Sequence, residues 1–201
     1  MVDAKDILLI FTAGIFFGSF LKRCLCIVWQ IKIEERYPFV ECANGLLYVL
    51  VLLAAGWTVK GGFFCICTSV LLAVGIADQK TFEIPIGCNM LIGILGGIHL
   101  LLDLPHWQEY LAGLFAASGL LGAAYFLSKG KGIGGGDIKL MAAAGLLLGW
   151  ENIMLALFIG SVSGAVIHIL RMRFQRKDRV LAFGPYLAFG IFTAMLCGEG
   201  F

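Results

Sequence analysis

The sequence predicts an all-α membrane protein with about eight transmembrane helices, seven at the fewest, and an N-terminus on the outer side. Three observations lead to this prediction. Of 201 residues, 60% are hydrophobic and 14% are charged, whereas about a quarter of the residues in soluble domains are charged. The apolar residues form runs close to the ~20 residues that span a bilayer. The lysine and arginine residues gather on one side of the membrane that these runs define.

Short polar breaks divide the chain into eight apolar segments, and residues 1–201 are predicted to form a single transmembrane domain. The runs are too long, and alternate too little, for barrel strands. The sixth segment would give about 20 Å of helix, so it is either a short buried span or a re-entrant segment. The segments are Ile7–Val28, Phe39–Val59, Gly62–Ala77, Ile84–Leu102, Trp107–Leu127, Ile138–Trp150, Ile153–Leu170 and Val180–Cys197.

The first segment is predicted to be a retained span rather than a cleaved signal peptide. Asp3 and Asp6 precede it, and the positively charged region expected of a signal peptide is weak. With eight spans and an outer N-terminus, only Lys5 and Lys60 of the fifteen Lys and Arg residues lie outside. Because these residues concentrate in cytoplasmic loops, the other side is predicted to be the cytoplasm, and both termini to lie outside. The basic run 171–179 is interpreted as an anchor on anionic lipid rather than as a nucleic-acid site.

Neither the cysteine nor the histidine residues are spaced to hold a metal ion. The seven cysteines form two C-x-C pairs and no C-x-x-C pair, so zinc spacing is absent. They are interpreted as small buried hydrophobic residues. His99, His106 and His168 have no evident partner at ligand spacing, and we predict that no metal is bound.

Two aspartates stand out because each lies at the end of an apolar segment on the predicted cytoplasmic side. Asp78 follows the third segment, and Asp137 follows three glycines, residues 134–136, at the start of the sixth. An ionisable group at membrane depth is costly and suggests a function by default. Either aspartate alone could equally be a helix cap or a boundary residue. The pair is therefore the more specific signal.

A pair of aspartates can hydrolyse a peptide bond without a metal or a nucleophilic side chain. Like charges about 3 Å apart cannot both ionise, so one carboxylate acts as base toward water and the other as acid toward the carbonyl. Residues without Cβ allow unusual backbone angles and close approach, so a substrate segment could lie against the loop Gly134-Gly135-Gly136. The alternative is a flexible, glycine-rich connector. A phosphate-binding loop is not indicated, because the pattern G-x-x-x-x-G-K-[ST] is absent.

The residues around both aspartates resemble those of the type IV prepilin peptidases. Gly134-Gly135-Gly136-Asp137 and the following Ile138-Lys139-Leu140 are similar to the family's G-x-G-D motif and its K-L continuation. Asp78 with the downstream Ile84-Pro85 resembles its first catalytic aspartate and Ile-Pro. Three more stretches resemble its helix boundaries, in the family's order: Gly18-Ser19-Phe20, Arg36-Tyr37-Pro38-Phe39-Val40-Glu41 and Phe183-Gly184-Pro185-Tyr186.

This resemblance implies an aspartyl endopeptidase of the bacterial cytoplasmic membrane. It would remove the short basic leader from prepilins or pseudopilins at the cytoplasmic face, typically after glycine. Asp78 and Asp137 would be the catalytic pair, Gly134 and Gly136 the loop glycines, and Lys139 a weaker candidate for positioning. The partners would be these substrates and the lipid bilayer, not nucleic acid.

One departure from the family concerns a second activity. Many bacterial members carry a large cytoplasmic insert with paired C-x-x-C motifs between their first two helices, linked to N-methylation of the new terminus. Here a shortened loop, residues 21–35, separates the corresponding stretches, and such a segment cannot fold as an independent domain. Methyltransferase activity and binding of S-adenosylmethionine are therefore doubtful, and no other cofactor is predicted.

Three alternatives remain at this point. A different G-x-G-D protease would cut within transmembrane segments, but the stretches around Pro38 and Pro185 argue against it. A proton-coupled carrier would place Asp78 and Asp137 nearer the bilayer centre. A degenerate peptidase could persist as an assembly factor. The sequence also leaves open whether Glu41 and Asn44, at the start of the second segment, satisfy neighbouring groups or line the site.

Overall fold

The chain is described by a computed structural model over residues 3–31, 38–130, 132–175 and 182–198. Arg36, Tyr37, residues 32–35 of the predicted loop and residues 176–179 of the basic run lie outside these ranges. Within them the chain is helical and contains no β-strand. The helices are α1 (Ala4–Ile27), α2 (Phe39–Ala55), α3 (Val59–Thr81), α4 (Ile86–Leu102), α5 (Trp107–Leu127), α6 (Gly135–Gln175) and α7 (Gly184–Cys197), with a 3₁₀ turn at Leu104–His106.

The predicted all-α membrane fold is confirmed. By length and composition, four of the described helices could cross a membrane: α1, α3, α5 with the turn before it, and α6. The helices α2, α4 and α7 are apolar but shorter, with 17, 17 and 14 residues. Large apolar side chains are exposed on many helices, including Phe16, Phe126 and Leu127. Such a surface would be covered by lipid.

The long helix α6 breaks at Gly149, so its two halves correspond to the sixth and seventh predicted segments. Gly149 has φ 77° and ψ 175°, in a region that glycine adopts readily and other residues rarely do. The second half then runs antiparallel to α7. Asn152 lies beside Gly198, just after the end of α7, and Gly164 lies beside Phe183, just before its start.

Glycines let α5 and the first half of α6 pack with their backbones in contact. A Cβ added to Gly145 would overlap the carbonyl oxygen of Gly113, and one added to Gly113 would overlap that of Gly145. Small residues commonly allow this close approach between membrane helices. The contact fixes the first half of α6, which begins two residues before Asp137.

A buried polar network joins α1, α2 and α3. Asn44 Nδ2 donates to the Gly14 carbonyl at 2.8 Å, and Ser69 Oγ donates to Asn44 Oδ1 at 3.0 Å. Lys22 Nζ and Glu41 Oε1 form an ion pair at 3.3 Å between α1 and α2. Asn44 therefore forms hydrogen bonds with α1 and α3, and Glu41 forms an ion pair with Lys22 of α1. Neither residue lines the carboxylate cavity described below.

The helix α1 extends further than the loop prediction allowed. It ends at Ile27, so residues 21–27 of the predicted loop 21–35 are helical. Leu25 is fully buried in the core, which gives the last turn of the helix a packing partner. The end of α1 agrees instead with the predicted first segment, which stopped at Val28.

Candidate active site

Asp78 lies in the last turn of α3, where the chain reverses toward α4. Phe82 terminates the helix in the left-handed conformation, with φ 55°, and its N–H donates to the Asp78 carbonyl at 2.9 Å. Pro85 directly precedes α4. A proline ring fixes its own φ and disfavours helical geometry in the residue before it. The short link therefore keeps Asp78 and Ile84 at the same end of the bundle.

The Asp78 carboxylate is bonded to the first residue of α7. Only 6% of Asp78 is exposed, and its Oδ2 accepts the Gly184 N–H at 2.7 Å. The first N–H groups of a helix lack partners within the helix and favour a negative charge. A Cβ added to Gly184 would lie 2.8 Å from the same Oδ2. Glycine at this position therefore permits the approach of α7 to the carboxylate.

Asp137 lies in the first turn of α6 and is 7% exposed. Its Oδ2 accepts the Gly134 N–H at 3.3 Å, and its own N–H donates to the Gly134 carbonyl at 3.2 Å. Asn89 Nδ2 donates to the Gly136 carbonyl at 3.4 Å. The glycine turn is thus held by the first turns of both α4 and α6.

The glycines before Asp137 provide space rather than unusual backbone angles. None of the residues 134–136 has a positive φ, whereas Gly130 and Gly149 do. Of the two properties that glycine allows, unusual angles and close approach, this turn shows the close approach. A Cβ added to Gly136 would lie 3.1 Å from Ile84 Cβ, so its close contact is with a side chain in the α3–α4 link.

Asp78 and Asp137 line one cavity of about 290 Å³. When two carboxylates lie close together, ionisation of one disfavours ionisation of the other, and the two can share a proton. The glycine turn, residues 134–136, lines the same cavity. Lys139 also lines it but is exposed, and it forms no ion pair with another described residue. The cavity thus brings two acidic side chains and a glycine turn into one lining.

The type IV leader peptidase family model matches residues 65–169, which include Asp78, the glycine turn and Asp137. This chain belongs to that family. Among its relatives named prepilin leader peptidase/N-methyltransferase, the protein of Neisseria gonorrhoeae is 36% identical over 189 residues, 87% of this chain and 63% of that protein. The Aeromonas hydrophila protein is 32% identical over 188 residues, 88% of this chain and 63% of the relative.

This member of the leader peptidase family spans less than two thirds of the length of those relatives. The Stutzerimonas stutzeri protein of the same name gives a similar relation, with 33% identity over 184 residues, 88% of this chain and 64% of that protein. No solved structure matches this chain.

Sequence reasoning missed two residues at the site of this leader peptidase homologue. Asn89 lines the carboxylate cavity, is 6% exposed, and has a buried Oδ1 without a hydrogen-bond partner among the described residues. The sequence does mark Asn89 as unusual, because it is a polar residue inside an otherwise apolar segment. Gly184 was noted only as part of a helix boundary. Its bond to Asp78 spans 106 positions in the chain, and no local pattern predicts such a pairing.

A larger cavity of about 510 Å³ lies at the other end of the bundle, and its lining includes three acidic residues, Asp103, Glu109 and Glu151. Lys60, which lines it, is separated from Asp78 by about 27 Å of α3. Asp103 in this cavity accepts a hydrogen bond from the Tyr110 hydroxyl at 2.7 Å and lies 2.9 Å from His106 Nδ1. The bonds to His106 and Tyr110 lower the pKa of Asp103 below its ordinary value. Asp103 is thus held as an ionised acceptor by two side chains that line the same cavity.

Proposed function

We propose that this chain is a membrane aspartyl endopeptidase that removes the basic leader from prepilins or pseudopilins. The observation that carries the proposal is the presence of Asp78 and Asp137 in one cavity, with a glycine turn beside them. Family membership and the names of the relatives support the same substrate class. We further propose that cleavage follows a glycine and occurs at the cytoplasmic face.

In the proposed reaction, the two carboxylates share one proton. The ionised carboxylate takes a proton from water, whose oxygen forms a bond to the scissile carbonyl carbon, while the protonated carboxyl gives its proton to the carbonyl oxygen. A tetrahedral diol results. One carboxyl then gives a proton to the peptide nitrogen while the other carboxylate takes a proton from a hydroxyl of the diol. The C–N bond breaks, a new amine and a new carboxylic acid are released, and the pair again shares one proton. No metal is required at any step.

The position of the carboxylates favours a peptidase over a proton-coupled carrier. A carrier would place the pair near the bilayer centre, but Asp78 lies in the last turn of α3 and Asp137 in the first turn of α6. A site at the helix ends suits a substrate whose leader stays in water while its following segment enters lipid. The same position disfavours a protease that cuts inside transmembrane segments.

Co-expression with a prepilin tests the proposal directly. The substrate should carry a basic leader, a glycine and then an apolar helix, in a host without another leader peptidase. We expect the intact mass of the substrate to fall by the mass of the leader through the glycine. A substrate of unchanged mass beside folded, membrane-inserted enzyme would contradict the proposed activity.

The same mass measurement tests N-methylation, which we propose is absent. The segment between the first two helices lacks the length and the paired cysteine motifs for a second active site. We expect the processed product to carry no added group. A gain of about 14 Da on the new N-terminus, the mass of one methyl group, that depends on S-adenosylmethionine would show that this chain methylates its product.

The proposed orientation predicts a labelling pattern in intact cells. His106 and Lys129 are both exposed, and they lie at opposite ends of α5. The exposed or half-buried cysteines Cys24, Cys26, Cys42 and Cys197 would first be replaced by serine. An impermeant thiol reagent should then label His106→Cys and spare Lys129→Cys until the cells are opened. The reverse pattern would place the carboxylates on the outer side.

A methyl group at Gly184 is expected to impair cleavage without unfolding the protein. The alanine Cβ would lie 2.8 Å from Asp78 Oδ2 and 3.0 Å from Asp78 Cγ, so the carboxylate or the start of α7 must shift. We expect kcat/KM of Gly184→Ala to fall at least about tenfold, because small displacements of a catalytic group are costly. Gly93→Ala is the control, since its Cβ would meet only Ala143 Cβ, at 3.8 Å. Equal rates for the two variants would argue against the tight fit.

A further inference from the structure

A second cavity of about 290 Å³ forms an apolar groove between α3 and α7, with one residue from α2. Its lining includes Thr68, Leu72, Gly75 and Gln79 of α3 and Pro185 and Phe189 of α7, and none of the described residues that line it is charged. Leu72 and Gly75 are half-buried, and Phe189 is 54% exposed. The groove therefore opens toward the surface that lipid would cover.

The groove and the carboxylate cavity are lined by consecutive residues of α3. Asp78 lines the carboxylate cavity, and Gln79, the next residue, lines the groove. Pro185 of the groove directly follows Gly184, whose N–H donates to Asp78. The carboxylate cavity and the groove therefore meet α3 at neighbouring positions, Asp78 and Gln79.

The dimensions of the groove fit a helix. From Thr68 to Gln79 it extends about 16 Å along α3, which corresponds to about three helical turns. A peptide in lipid must satisfy its own backbone, so an apolar segment beside these helices would be helical. Gly75 leaves space in the wall, since its nearest cross-helix neighbours would lie 3.8–3.9 Å from an added Cβ. Small residues are typical where two membrane helices approach closely.

We propose that this groove binds the apolar helix of the prepilin substrate, the segment that follows the scissile bond. The inference rests on the proposed function and adds a binding site to it. The polar leader lies on the carboxylate side, where Glu83 and Lys139 line the cavity, and the apolar helix lies on the groove side. The boundary at Asp78 then sets the cleavage position at the junction between these two parts of the substrate.

Site-specific photo-crosslinking in the membrane tests this site. The probe is p-benzoylphenylalanine in place of Phe189, in an Asp137→Asn background that retains the prepilin. Phe158 is the matched control. It is 67% exposed on the second half of α6, and its neighbours Ala156 and Gly160 pack against Gly190 and Leu187. The two probes therefore lie at a similar membrane depth on different faces.

We expect the probe at Phe189 to crosslink the prepilin, with peptide mapping to its apolar helix, and at least about tenfold less crosslinking from Phe158. Similar yields at both positions would mean that the groove is an ordinary lipid-facing surface. Crosslinks only to a second copy of this chain would assign the groove to self-association. Absence of any crosslink, with wild-type enzyme that cleaves the same prepilin, would also overturn the inference. Failure of the wild type to cleave would instead reject the proposed function.

Discussion

Asparagine in place of either Asp78 or Asp137 is expected to abolish cleavage of a prepilin while the protein stays folded. Asparagine keeps the size of the side chain and an oxygen that can accept the N–H of Gly184 or Gly134. It removes ionisation, and neither remaining carboxylate can act as base and acid at once. Loss of one such group costs about 10²- to 10⁴-fold in rate. The measurement is cleavage by purified enzyme in proteoliposomes, with size-exclusion profiles as the check on folding.

Three further variants test whether Asp78 and Asp137 act as one unit with strict geometry. Residues that act as a unit are not additive, so the double variant should be about as inactive as either single one. Asp78→Glu and Asp137→Glu should fail as well, because an added methylene moves the carboxylate by about 1.5 Å, beyond the tolerance of such sites. Glu109→Gln, an exposed carboxylate beside the larger cavity at the other end, should cleave normally. Near wild-type cleavage by a folded Asp78→Asn or Asp137→Asn protein would refute the assignment.

The order and type of the helices could be predicted because lipid imposes a strong pattern on sequence. The segment starting at Phe39 begins where α2 begins, and the segment Trp107–Leu127 coincides with α5. The break in α6 was harder to place. The sequence separated Ile138–Trp150 from Ile153–Leu170, but the reversal occurs at Gly149, inside the first of these segments. A glycine within an apolar run gives no sign by itself that it will adopt a positive φ.

The candidate site, too, could be predicted from the sequence only in part. Asp78 and Asp137 could be chosen from the sequence because each interrupts an apolar segment at its end. The pairing of Asp78 with Gly184 depends on how α7 packs against α3, which no local pattern encodes. Asn89 was overlooked because one amide in a membrane helix is usually a packing residue. Only its bond to the Gly136 carbonyl and its place in the cavity connect it to the carboxylates.

The glycine contact between α5 and α6 leads to the second large expected effect, which concerns folding. Leucine in place of Gly145 would put a Cβ where the Gly113 carbonyl oxygen lies, with Leu114 N only 3.0 Å away. Backbone atoms of a neighbouring helix cannot rotate away as a side chain could. Overpacking in a well-packed core usually costs about 1–3 kcal/mol and occasionally more, and this case should lie at or above the upper end.

We therefore expect Gly145→Leu to lose most of its folded population in detergent and, with it, its cleavage activity, because the same contact holds the segment that carries Asp137. Gly122→Leu is the matched control. It places the same side chain on α5, where an added Cβ would meet nothing within 4 Å, and it should melt like the wild type. Thermal unfolding followed by size-exclusion fluorescence distinguishes the two variants. Indistinguishable melting of Gly145→Leu and Gly122→Leu would show that α5 and α6 are not in backbone contact at this position.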